Sequence, residues 1–172
     1  MAIIDETYFI GNISLPTDND NYLNKLNKFI NITQKKYLLK AFGYELYALF
    51  IAELPIPTSQ RFTDILDGAE FENTSGYTDK WDGLANSELE SFLAYFTYIE
   101  CTNSNTVSLT GQGATTNMFE NANPVAPIPK GVEAFNLGVK QYNKLYDFMK
   151  ANQANYPEWQ WTKIGTANIF NL

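Results

Sequence analysis

Apolar residues recur at helical spacing in some stretches of this chain and lose that spacing in others, and the contrast predicts its organisation. From Asp20 to Ile30, Leu23, Leu26, Phe29 and Ile30 fall at i, i+3, i+6 and i+7, which predicts a short amphipathic helix. Asn31 then offers an N-cap with Gln34 three positions on, so a separate helix is expected from about Thr33 to Leu54. Leu38, Leu39, Phe42, Leu46, Leu49 and Phe50 form its stripe, Gly43 marks a bend or a close approach, and Pro55 and Pro57 end it. This helix is apolar on more than one face, which places it at the centre of the domain or against a neighbouring subunit. Ser59 to Asp67 predicts a short helix closed by Gly68. Ser87 and Glu90 match a capping box for a helix carrying Leu89, Phe92, Leu93, Phe96 and Ile99 on one face. The last helix is expected from near Gly131 to about Ala151, with Val132, Phe135, Val139, Tyr142, Leu145, Tyr146 and Met149 in register.

The stretches without helical period are rich in aromatic and small polar residues. Residues 1–17 read as an extended apolar arm that packs on its own domain or on a neighbour. Residues 69–83, with Phe71, Tyr77 and Trp81, read as a hairpin-like loop anchored by aromatics. Residues 102–129 are nearly uncharged and rich in Thr, Asn, Gly and Ala. Val107 and Leu109 alternate with polar neighbours there, as in a strand, so the segment is expected to be a long, β-competent arm suited to pairing with another chain. The aromatic tail, residues 152–172, should dock on its own domain or on a partner. The expected fold is mainly α: a single domain, 1–172, made of a small helical bundle. Its parts are an N-terminal arm (1–17), a helical body (20–101), an extended arm (102–129), a C-terminal helix (130–151) and a docking tail (152–172). The interaction residues expected on these parts are Ile10, Val107, Leu109, Met118, Phe119, Trp159, Trp161 and Phe170.

Composition narrows the chemistry. The 172 residues contain no histidine and one cysteine, Cys101. That removes the commonest general base and metal ligand, every Ser-His or Cys-His pair, and any disulfide or thiolate zinc cluster within the chain. Cys101 lies on an apolar helical stretch and reads as a small buried side chain. No metal and no cofactor are expected. The net charge of −7 argues against a protein that grips nucleic acid, and Lys35, Lys36 and Lys40 read as a solvated helix face. Glu88 with Glu90, or Asp79 with Asp82, are the carboxylate pairs a hydrolase would need, but residues two apart on a helix do not face each other. Asp18, Asp20 and Asn21 lack the turn glycine and distal Glu of a calcium loop. Gly111-Gln112-Gly113 lacks the sequel of a phosphate loop. There is no uninterrupted apolar run of membrane-spanning length and no secretion signal at the start, so a soluble protein made in the cytoplasm is expected.

The order of features resembles a known family. It runs from KKYLLKAFGYELYALF (35–50) through FTDILDG (62–68), WDGL (81–84) and SELESFLAYFTYIEC (87–101). It then continues to VEAFNLGVKQYNKLYDFM (132–149) and YPEW (156–159). This resembles the small head–tail connector (adaptor) proteins of tailed bacteriophages, in particular ring proteins of crAss-like phages. The resemblance implies a virion protein, not an enzyme. About twelve copies would form a closed ring under the portal, joined to the next tail or neck ring protein, with DNA passing through the centre without specific binding. Another neck or tail-completion component is the nearest alternative, a carboxylate hydrolase and a DNA-binding regulator the more distant ones.

Overall fold

Helix α1 runs unbroken past the point where two helices were expected. It spans Asp20–Glu53, and its buried stripe of Leu26, Ile30, Thr33, Gln34, Leu38, Ala41 and Phe42 keeps one register across Asn31. The expected capping box does not form, because both of its side chains are used elsewhere. Asn31 donates through Nδ2 to the carbonyl of Asn27 inside the helix (2.8 Å), and Gln34 is turned toward the N-terminal arm. The helix breaks at Gly43 instead, where φ is 75° and ψ is 171°. That backbone conformation favours glycine, and it separates the long first limb from a shorter second limb carrying Leu46 and Phe50 into the core.

The computed structural model describes residues 1–15, 20–110, 113–116, 127–160 and 163–167, with the backbone alone for 105–110, 113–116 and 127–129. Within them lie four helices and two antiparallel hairpins, so the fold is mainly α, as its periodicity predicts. Helix α2 (Gln60–Asp67) ends at Gly68 (φ 95°) and feeds the hairpin of β1 (Ala69–Glu72) and β2 (Thr78–Trp81). Phe71 and Trp81 point inward from that hairpin, and the Trp81 indole N–H donates to the carbonyl of Ile65 (3.0 Å). Gly68 and Gly83 lie back to back at its base. A Cβ on Gly83 would stand 2.5 Å from the backbone of Asp67, and one on Gly68 2.4 Å from the carbonyl of Trp81.

Helix α3 (Phe92–Thr106) starts later than its expected box. Ser91 fills the capping position, its carbonyl accepting from Ala94 and Tyr95, while the Glu90 N–H goes to the Asn86 side chain. The helix then continues into the supposed 102–129 arm, where Thr102 bonds back to the Tyr98 carbonyl (2.9 Å). Strands β3 (Val107–Thr110) and β4 (Gly113–Thr116) follow as a hairpin with Val107 opposite Thr116. Helix α4 begins at Pro127 and runs to Ala151, so the described part of that segment is divided between helix ends and a hairpin.

Helices α1, α3 and α4 pack side by side over a core rich in aromatic side chains. Phe96 stacks on Tyr37 (centroids 4.0 Å apart), Phe92 meets Tyr142 edge-on (5.3 Å), and Phe50 links Phe42 to Phe62. Phe148 extends this aromatic packing to Phe71 and Tyr156. Edge-to-face pairs of this kind add to area burial and fix ring orientation.

Candidate functional site

With the core filled, apolar side chains remain on the outside in an ordered place. Beyond Gly43, the outer face of α1 presents Tyr44, Ala48, Leu49 and Ala52, and the turn after it presents Pro55 and Ile56. Tyr44 is 79 % exposed and Ile56 81 %. Glu45 is the one charged side chain among these positions. A second apolar face on this helix is what its sequence pattern forecast, and exposed apolar side chains gathered on one element mark a contact surface. The turn beneath it is firmly held. Glu53 accepts from the backbone N–H groups of Ser59 and Thr58, both at 2.9 Å, and these bonds, that of Ser59 foremost, lower its carboxyl from the ordinary value.

The N-terminal arm lies on the body and is fastened by a side-chain amide. Gln34, buried, accepts from the Ile3 N–H (2.7 Å) and donates to the Met1 carbonyl (3.0 Å). Two 3-10 turns, Glu6–Tyr8 and Gly11–Ile13, bury Tyr8 and Ile13. Ile10 stays 54 % exposed between them, at a cleft of about 220 Å³ shared with Glu88, Glu90, Tyr95 and Leu137.

The aromatic tail also docks on its own domain. Tyr156 is buried and donates its hydroxyl to the Arg61 carbonyl (2.8 Å), and burial pushes that phenol well above its ordinary value. Arg61 meets Glu158 at 3.1 Å, and the Trp159 indole N–H donates to the carbonyl of Ala41 (3.1 Å), just before the break in α1. The tail then turns back along α4. Trp159 is therefore engaged within its own chain. Met118, Phe119, Trp161 and Phe170 lie outside the described residues, as do Asp18, Gly111 and Gln112. Val107 and Leu109 are placed on β3 by their backbone alone.

The two carboxylate pairs lie in different settings. Asp82 is bridged to Lys144 (3.0 Å), and Asp79 accepts from the adjacent Lys80 N–H on the exposed hairpin. Glu88 and Glu90 share the Ile10 cleft, on a turn where Leu89 takes a φ of 58° and Asn86 grips the Glu90 backbone through both ends of its amide. Among the described residues no group of three or more His, Cys, Asp or Glu is arranged to hold a metal ion. Cys101 is buried, and burial pushes its thiol up to about 11. Lys36 is paired with Glu100 at 2.6 Å. No helix among the described residues is long and apolar enough to cross a membrane.

Fold and surfaces together define a small, mainly helical protein with strapped-down terminal arms and an exposed apolar band. The chain belongs to the family of unknown function DUF6712, whose profile matches residues 38–130, from the middle of α1 to the start of α4. No curated protein and no solved structure matches it.

Proposed function

We infer that this chain is a structural virion protein of a tailed phage. In this reading it is a subunit of the head–tail connector ring beneath the portal, joining capsid to tail around the DNA channel. The observation that carries the reading is the apolar band from Tyr44 to Ile56, left uncovered on a domain whose core is otherwise filled. A ring subunit needs such a surface, because a heterologous contact repeated by rotation buries one patch of each copy against a different patch of the next. Two of the motifs behind the resemblance are mostly made of residues with a structural task, which supports a structural reading. In WDGL, Trp81 and Leu84 are buried, Asp82 bridges to Lys144 and Gly83 allows close backbone approach. In YPEW, Tyr156, Glu158 and Trp159 fasten the tail. The net charge of −7 suits a wall past which DNA slides without being held.

The neighbours in this reading are the portal protein above and the next neck or tail ring below. The test is to locate the chain in purified phage particles by mass spectrometry and gold-labelled antibody. Label at the neck is the expected result. Label elsewhere along the tail would replace the connector with a tail-completion component, and absence from particles would overturn both.

A further inference from the structure

The tail is held to α4 by an unusual kind of contact. Asn143 donates through Nδ2 to the Ile164 carbonyl (2.9 Å), and its Oδ1 accepts from the N–H of that same residue (3.1 Å). Asn136 repeats the arrangement on Ala167, donating at 3.1 Å and accepting at 2.9 Å. Each side-chain amide thus takes both backbone groups of one tail residue, as a neighbouring strand would. The spacing fits on both sides. Seven helical residues advance about 10.5 Å, and three extended residues advance about 10 Å. Such a ladder reads backbone alone and is indifferent to the side chains of the segment it holds.

We propose that this face of α4 is a receptor for an extended peptide, and that in the assembled ring its occupant is residues 163–167 of a second copy of this chain. The proposal rests on the ring reading above and adds to it a named contact between copies. Three observations favour exchange. The contact within one chain buries little, since Lys163, Gly165, Thr166 and Ala167 are exposed and Ile164 alone is half-buried, so the strap can open locally. Past Ala167 the sequence reads Asn-Ile-Phe-Asn-Leu, in which Ile169, Phe170 and Leu172 are apolar. A swapped tail re-forms the same four hydrogen bonds, so exchange loses none of them, the usual reason that swapping comes at low cost. Lys163, paired with Asp147 at 2.7 Å, would carry its ion pair across as well.

Cysteine cross-linking in the full chain decides it. Lys140 is exposed between Asn136 and Asn143, and Gly165 lies between the two gripped tail residues with open space where a Cβ would stand. The native Cys101 is buried and does not compete. The chain carrying both K140C and G165C should be bridged within itself by a short bis-maleimide as a monomer, which checks the register across the open space beside Gly165. Two chains, one with K140C and the other with G165C, are then mixed, assembled and treated with the same reagent. A cross-linked pair at twice the chain mass is expected, and it should be lost when Asn136→Leu and Asn143→Leu are added. Should the double Leu chain misfold, Asn136→Asp, which keeps the acceptor and removes the donor, should weaken the cross-link alone. Rings without the mixed cross-link would overturn the exchange and leave the ring reading standing. A chain that stays monomeric and uncross-linked would overturn both.

Discussion

At the scale of single residues, Tyr156 and Gly83 report most directly on how the molecule is held together. Tyr156 gives its hydroxyl to the Arg61 carbonyl from a buried position, so Tyr156→Phe should cost about 1 kcal/mol near neutral pH. Its phenol is raised in the folded state, chiefly by burial, so folding favours the protonated form. The stability this confers is complete below the unfolded-state value of about 10 and declines as pH rises beyond it. Urea unfolding of the native chain should therefore weaken above pH 10 more steeply than that of Tyr156→Phe. Equal slopes would remove Tyr156 from the account. At Gly83, φ is 94° and an added Cβ would meet the backbone of Asp67 and Leu66, which no side-chain adjustment relieves. Gly83→Ala should destabilise by on the order of 3 kcal/mol, visible as a lower unfolding midpoint.

Among the elements, the second limb of α1 carries two roles on two faces. Leu46 and Phe50 fill the core, while Tyr44, Leu49 and the following Ile56 face outward. Charging the outer face, with Leu49→Glu or Ile56→Asp, should leave stability within about 0.5 kcal/mol, because surface positions tolerate substitution. The same changes should abolish assembly in size-exclusion chromatography, and a fully assembled Ile56→Asp chain would discharge this face from any role. The sequence made much of this element legible: the stop at Pro55 and the second apolar face follow from periodicity, but Leu49, expected on the core stripe, is 42 % exposed on the outer face. It misled at Asn31 and Gln34, whose local pattern matches a cap. Gln34 is drawn instead to the backbone of residues 1–3, more than thirty positions away in the chain. The start of α3 was displaced for a similar reason, Asn86 taking the Glu90 N–H that a Ser87 box would have needed. Asn136 and Asn143 gave no signal at all. On a helix they look like ordinary exposed polar positions, and only the returning tail gives them a task.

For the whole molecule, its two terminal segments are secured by the same chemistry: buried or half-buried amides that bind backbone, with indole and phenol anchors between them. Such fastenings are specific in geometry and modest in energy, a combination suited to segments that change partners on assembly. In the proposed ring, the apolar band and the exchanged tail would be the two contacts that neighbouring copies complete. The most direct test is the mass of the purified chain, alone and mixed with portal protein, followed by electron microscopy of any particle formed. A closed ring of about twelve copies on the portal is the predicted result. A chain that remains monomeric at every concentration and does not bind the portal would contradict it.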